Sequence, residues 1–258
     1  MPFILFEIKN SIAFITLNRP EKFNAFNGEM ALLLQEKLDE CEKNISVRCV
    51  SITGAGKAFC AGQDLSEVID PDGPGMEKIL SEYYNPIIRK IRNLNKPVFA
   101  VVNGVAAGAG ANIALCCDVV IASENASFIQ AFSKIGLIPD SGGTFFLPRL
   151  IGFQKASALM MMGDKISAIE AERMGMIYKY FSEETFISEA EKIAITLSEL
   201  PTKGLAFTKQ ALNQSLEQNL EQQLQTEDIL QQKAASTNDF KEGVTAFIEK
   251  RKANFKGD

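Results

Sequence analysis

The chain has 258 residues, 46% of them hydrophobic, and sets 27 basic against 32 acidic side chains for a formal charge of −5. That is enough apolar material for one large domain or a domain with an appendage, and it excludes a disordered chain and a surface basic enough to gather a polyanion. Histidine is absent, which removes Ser-His and Cys-His nucleophiles and imidazole metal ligands, so any acid or base is expected to be a carboxylate.

In chain order, residues 3–9 and 12–17 read as a hairpin across Asn10-Ser11, and a helical pattern covers 28–43. A buried strand is predicted at 47–53. A polar loop over 70–75, a lid or plain surface, leads to a helix over 76–94 that stops near Lys96-Pro97. Strand 98–102, a glycine-rich turn over 104–110, a small-residue helix over 111–117 and strand 119–122 follow. This alternation predicts an α/β domain with a largely parallel sheet. Beyond Pro148 the pattern turns helical, with segments near 154–162, 168–174, 182–200, 202–213, 216–237 and 239–252. In the segment over 216–237, Leu216, Leu220, Leu224 and Leu230 form an apolar stripe suited to packing on the domain body or another subunit.

Two glycine-containing turns follow predicted strands, where α/β enzymes place ligands. The first, Thr53-Gly-Ala-Gly-Lys-Ala-Phe-Cys-Ala-Gly-Gln-Asp-Leu65, lacks the glycine offset and the Ser or Thr of a phosphate-binding loop. The second, Asn103-Gly-Val-Ala-Ala-Gly-Ala-Gly110, has Ile113 at the third glycine position of a dinucleotide fingerprint. Both turns suit a different use: small residues let a ligand approach the backbone, and free N–H groups near a helix start grip an oxyanion. Close strand and helix packing would also account for either turn alone.

The five cysteines, at 41, 49, 60, 116 and 117, have no CxxC spacing, so neither a four-cysteine metal site nor a disulfide framework is expected. No apolar run reaches the roughly 20 residues that span a bilayer, and no basic stretch precedes the first apolar residues. A metal-free cytoplasmic protein without membrane or nucleic-acid partners is the expectation.

Four ordered motifs carry a resemblance: Arg19-Pro20 with Asn24-Ala-Phe26, Ala61-Gly-Gln-Asp-Leu65, Asn103-Gly-Val-Ala-Ala-Gly-Ala-Gly110 and Gly136-Leu-Ile-Pro-Asp-Ser-Gly-Gly-Thr144. In these the chain resembles the crotonase (enoyl-CoA hydratase/isomerase) superfamily over its whole length. The resemblance implies a crotonase (ClpP-like) α/β fold, with a spiral ββα core over 1–195 and a C-terminal helical trimerisation region over 196–258. It implies an acyl-CoA thioester substrate, no cofactor beyond the CoA that the substrate carries, and a homotrimer or hexamer. The oxyanion donors would be the backbone N–H groups of Gln63 and Ala109. Lys22, Asn24, Ala25, Phe26, Ala61, Asp64, Leu65, Gly108, Phe132 and Pro139 would line the substrate. The basic residues Lys250, Arg251, Lys252 and Lys256 would either meet CoA phosphates or form a solvated helix end.

The carboxylates separate the reactions within that family. Hydratases of the family use two glutamates, and these positions fall on Asn112 and Phe132, neither of which can serve as a base. Asp140 stands where the resembled double-bond isomerases carry their single acid or base. An isomerase moving a 3-enoyl double bond to the 2-position is therefore expected, and the resemblance extends to the subgroup acting on the ring epoxide of phenylacetyl-CoA. Phe132, Phe145 and Phe146 would then line a ring pocket or belong to the core. The rival readings are an enoyl-CoA hydratase and a non-catalytic acyl-CoA-binding homologue. Locally, Asp140 or Ser141 could instead cap the helix that begins near Gly142.

Overall fold

The chain opens on a hairpin, in which β1 (Ile4–Lys9) pairs antiparallel with β2 (Ile12–Leu17). The turn residues Asn10 and Ser11 have φ of 53° and 62°, the left-handed values of a two-residue type I′ turn. The computed structural model describes residues 2–258. Helix α1 (Gly28–Lys43) starts where the Asn27 side chain accepts from the Met30 N–H. It buries Met30, Leu34, Leu38 and Cys41, an apolar stripe at three- and four-residue spacing.

Three strand pairs then build two sheets: β3 (Cys49–Gly54) with β4 (Ala58–Cys60), β5 (Val98–Val102) with β6 (Val105–Ala107), and β7 (Val119–Ser123) with β8 (Ser127–Ile129). The first strand of each pair enters a six-stranded sheet of order β1-β2-β3-β5-β7-β10, the second a four-stranded sheet of order β4-β6-β8-β9, where β9 is Lys165–Ser167 and β10 Lys179–Phe181. Every pairing is parallel except β1 with β2 and β8 with β9. Glycine is required where the chain passes between sheets, because a Cβ on Gly54 would lie 2.2 Å from the Ala58 carbonyl oxygen and one on Gly104 2.1 Å from that of Lys57. This is the expected α/β spiral of repeated ββα units.

The remaining helices are α2 (Leu65–Val68), α3 (Gly75–Lys78), α4 (Asn85–Asn93), α5 (Ala109–Leu115), α6 (Gly143–Ile151), α7 (Phe153–Met162), α8 (Ala168–Arg173), α9 (Glu183–Glu199), α10 (Thr202–Ser215), α11 (Leu220–Ala235) and α12 (Asn238–Glu249). No helix among the described residues is long and apolar enough to cross a membrane.

Several expectations need adjustment. The residue pattern alone did not display the second sheet, which only the resemblance implied, because strands of three residues are too short to show alternation. The helix expected over 76–94 contains a π-helical stretch, Ile79–Tyr84, between α3 and α4. Adjacent Tyr83 and Tyr84 are both buried there, an arrangement that the wider turn accommodates. The segment over 216–237 does not start at Leu216; α11 starts after Asn219, whose side chain and that of Gln222 form a capping box. The division expected after residue 195 falls inside α9, which packs Phe186, Ala190 and Ala194 on Ile12, Cys49, Phe99 and Ile121 of the large sheet. The chain leaves that helix at Leu200-Pro201.

The helical tail is fastened to the core by a buried ionic cluster. Asp118 accepts from Lys209 Nζ at 2.7 Å and from Arg92 Nη1 at 3.1 Å, and the Lys209 side chain is 6% exposed. Asp118→Ala would leave two cations without their carboxylate, so a loss of about 3–5 kcal/mol of stability is expected. Urea unfolding checks this; an unchanged midpoint would mean that the tail is held by apolar packing alone.

Candidate active site

Each motif residue reaches the site through a backbone constraint that the sequence supplies. The segment 22–26 runs against 61–64: the Ala61 N–H donates to the Phe23 carbonyl at 2.9 Å, the Phe26 N–H to Gly62 at 2.7 Å and the Asp64 N–H to Phe26 at 2.8 Å. Phe26 and Gln63 form an isolated parallel bridge. This pairing uses the Ala61 and Asp64 N–H groups and the Gly62 carbonyl, whereas the Gln63 N–H has no acceptor among the described residues. Ala109 is the first residue of α5, so its N–H is one of the unpaired donors of a helix start.

The two turns face each other through glycine. A Cβ on Gly62, where φ is +95°, would lie 3.0 Å from the Ala107 carbonyl oxygen and 3.5 Å from the Ala109 nitrogen. Gly108 has φ 53° and ψ −128°, and a Cβ on it would lie 3.7 Å from the Phe132 ring. The backbone notch between the two turns is thus lined by Gly62 and Ala109, with the Phe132 ring beside Gly108. Cys60, at the end of β4 within the first turn, is buried, and burial pushes its thiol up to about 12, away from a reactive thiolate.

The Gln63 side chain is held from behind. Tyr84 Oη donates to Gln63 Oε1 at 2.8 Å, Gln63 Nε2 donates to Glu67 Oε2 at 2.7 Å, and Glu67 Oε1 accepts the Gly28 N–H at 2.9 Å. Burial pushes the Tyr84 phenol well above its usual range, and the charges of Cys60, Asp140 and Glu67 act in the same direction. Neither Tyr84 nor Glu67 was legible in the sequence, since a tyrosine in a helical pattern carries no signal of its partner 21 residues away.

Asp140 is half-buried on the connection before α6. Burial pushes its carboxyl up to about 6, opposed by the Ser141 hydroxyl that donates to Oδ1 at 2.9 Å. The capping alternative does not hold for this side chain: Gly142 occupies the N-cap of α6, and no side chain caps it. The Asp140 main-chain carbonyl accepts from the Gly143 N–H and from Asn112 Nδ2, both at 2.8 Å.

Other expected substrate contacts divide into surface and scaffold. Lys22, Ala61 and Leu65 are exposed and Pro139 is half-buried, whereas Asn24, Ala25, Phe26, Asp64 and Phe132 are buried. The Asn24 carboxamide is spent internally, accepting from the Arg19 N–H at 2.8 Å and donating to the Ala55 and Ala58 carbonyls at 2.9 and 2.8 Å. Asp64 is held down at about 2 by the Ser66 hydroxyl at 2.6 Å and by Arg19 at 2.9 Å. Asn24 and Asp64 thus shape the loop, while Lys22, Ala61 and Leu65 present a face. Phe145 and Phe146 stack edge to face at 5.1 Å, with Phe146 under Arg92 and Phe145 under Arg149. Arg251 is paired with Glu242 and Glu249, and Lys252 with Glu199.

The candidate site thus comprises the main-chain N–H groups of Gln63 and Ala109, which have no acceptor among the described residues, the Asp140 carboxyl that burial raises to about 6, and the non-ionisable Asn112 and Phe132. The family model described as enoyl-CoA hydratase/isomerase matches residues 7–258. The chain is 45% identical to the 1,2-epoxyphenylacetyl-CoA isomerase of Escherichia coli (strain K12), over 100% of this chain and 99% of that protein. It is 42% identical to a protein of Rhodobacter capsulatus named "Probable enoyl-CoA hydratase", over 98% of each. Among solved structures, an enoyl-CoA hydratase from Polaromonas sp. JS666 superposes with a TM-score of 0.91 at 34% identity, over 98% of this chain and 99% of that one.

Proposed function

Because the chain belongs to the enoyl-CoA hydratase/isomerase family, we propose that it is an acyl-CoA isomerase, shifting a 3-enoyl double bond to the 2-position with Asp140 as its single acid and base. In this reading the thioester carbonyl oxygen sits between the N–H groups of Gln63 and Ala109. The Asp140 carboxylate takes a proton from C2, the electron pair moves into the dienolate, and the negative charge gathers on the oxygen that the two donors face. The protonated carboxyl then returns the proton at C4, so the bond moves with no net gain or loss of atoms.

The observation that carries the proposal is the pairing of an elevated Asp140 with Asn112 and Phe132. A hydratase must orient and deprotonate a water, and neither a buried carboxamide nor a phenyl ring supplies the second base. Similarity to hydratases favours a rival activity, the addition of water to a 2-enoyl-CoA, and the same pair of residues argues against it. The finer reading extends to a ring epoxide of phenylacetyl-CoA opening to an oxepin, supported by the 45% identity to an isomerase of that name and by the Phe132 ring beside Gly108. Trimeric assembly belongs to the same proposal, and the exposed Leu220, Phe247 and Ile248 of the tail offer apolar surface for it.

The pH dependence tests the role of Asp140. The base form must be ionised to accept the C2 proton, so kcat/KM for 3-hexenoyl-CoA is expected to rise about tenfold per pH unit below a midpoint near 6 and to level off above it. A profile flat from pH 5 to 8 would remove Asp140 as the base. Offering epoxyphenylacetyl-CoA beside 3-hexenoyl-CoA, with products weighed by mass spectrometry, tests the acyl group; no rearranged product from the epoxide would confine the activity to open-chain enoyl groups.

A further inference from the structure

Asn112 lies one helical turn after Ala109 on α5 and is 1% exposed. Both ends of its carboxamide are engaged. Nδ2 donates to the main-chain carbonyl of Asp140, and Oδ1 accepts from Gln130 Nε2, each at 2.8 Å. Gln130 is itself buried, just after β8, and its Oε1 has no partner among the described residues. That side chain is therefore oriented by its one bond to Asn112.

The far side of Asn112 is closed by Gly143, where a Cβ would stand 2.3 Å from Asn112 Nδ2. Between Asp140 and Gly143 the backbone takes two consecutive left-handed residues, Ser141 at φ 51° and Gly142 at φ 72°. A serine in that region is held only where its surroundings over-determine it. The Asp140 carbonyl, gripped by both Asn112 and Gly143, is the anchor of that turn.

We propose that Gln130 and Asn112 form a positioning relay that sets the direction of the Asp140 carboxylate, and that position 112 requires an amide because the group it holds is a carbonyl acceptor. A carboxylate at 112 would oppose acceptor to acceptor and add a negative charge beside Asp140. Asn112 is a positioning residue, since it touches the Asp140 backbone and no reacting atom. The proposal rests on Asp140 as the proton carrier.

The test uses the full chain with 3-hexenoyl-CoA, comparing the parent protein with Asn112→Ala, Asn112→Asp, Gln130→Leu, the Gln130→Leu/Asn112→Ala double variant and Asp140→Asn. Misplacing a catalytic group by about an ångström costs on the order of 10²-fold, so Asn112→Ala is expected to lower kcat by about 10- to 100-fold with KM within about twofold. Asn112→Asp is expected to lower kcat and also to move the acid limb of the pH profile upward, a readout that loss of packing would not produce. Gln130→Leu should fall between the parent and Asn112→Ala, and the double variant should be no slower than Asn112→Ala, because the two act in series. If Asn112→Ala does not fold, Gln130→Leu and the pH profile of Asn112→Asp carry the test. Unchanged kcat and an unmoved pH profile in the folded variants, with Asp140→Asn inactive, would overturn the relay alone. Parental turnover in Asp140→Asn would overturn the proton-carrier reading and the relay with it.

Discussion

Replacing Asp140 by asparagine is expected to lower kcat for 3-enoyl-CoA isomerisation by about 10²- to 10⁴-fold, the range that a positioned acid or base contributes, while leaving acyl-CoA affinity within about twofold. The substitution keeps the size of the side chain and a hydrogen-bond acceptor for the Ser141 hydroxyl, and removes only the capacity to carry a proton. Steady-state kinetics and calorimetric titration with a saturated acyl-CoA separate the two quantities.

The same variant has a stability signature of definite sign. Burial raises the folded-state pKa of Asp140 from 3.8 to about 6, so the folded protein holds this proton more tightly than the unfolded chain does. Below about pH 4 the group is largely protonated in both states and carries no ionisation penalty. As pH rises from about 4 through about 6 the carboxylate must ionise in a partly desolvated place, and folding loses stability. Asp140→Asn is therefore expected to melt higher than the parent at pH 8, by about 2–4 °C for each kcal/mol relieved, and to show little of this gain at pH 4. A less stable variant at pH 8 would mean that the charged carboxylate has a native partner that favours it.

The second large effect concerns a main-chain donor, which only a proline substitution removes. Ala109→Pro deletes one oxyanion N–H at the first position of α5, where a helix tolerates proline. The preceding residue is Gly108 at φ 53° and ψ −128°, a mirror-image extended conformation that glycine can hold before proline. Loss of one such donor is worth about 10²–10³ in kcat, and the ring also fills the space of the carbonyl oxygen, so KM should rise as well. Circular dichroism and thermal melting would establish that the helix survives. A folded Ala109→Pro variant with parental kinetics would displace Ala109 from the oxyanion site.

The parts of this site that a linear sequence displays are those written in contiguous residues. Gly62 and Gly108 mark backbone positions where a side chain would block the notch or require a left-handed φ, and the motifs around them could be read directly. Asp140 stood out because no histidine competes with it and because Asn112 and Phe132 replace the acids of a hydratase. Contacts made by residues far apart in the chain were hidden. Tyr84, in the π-helical stretch, meets Gln63 across 21 residues of chain, and Gln130, just after β8, meets Asn112 of α5 across 18. Asn24 and Asp64 were read as substrate contacts from their motifs, and the hydrogen bonds that their side chains make within the loop could not be read there. The three-residue strands of the second sheet have too few positions to announce a period, yet β4 and β6 lead directly into the turns that hold Gln63 and Ala109, the proposed oxyanion donors.

On the proposed reading, one carboxylate without a second acid or base makes this site an isomerase. The most direct test of that reading is the ratio of two rates on one purified preparation: conversion of 3-hexenoyl-CoA to 2-hexenoyl-CoA, and addition of water to crotonyl-CoA. Isomerisation is expected to exceed hydration by at least about 10²-fold, the smaller end of what a missing general base costs. Hydration of crotonyl-CoA as fast as isomerisation, or faster, would contradict the assignment.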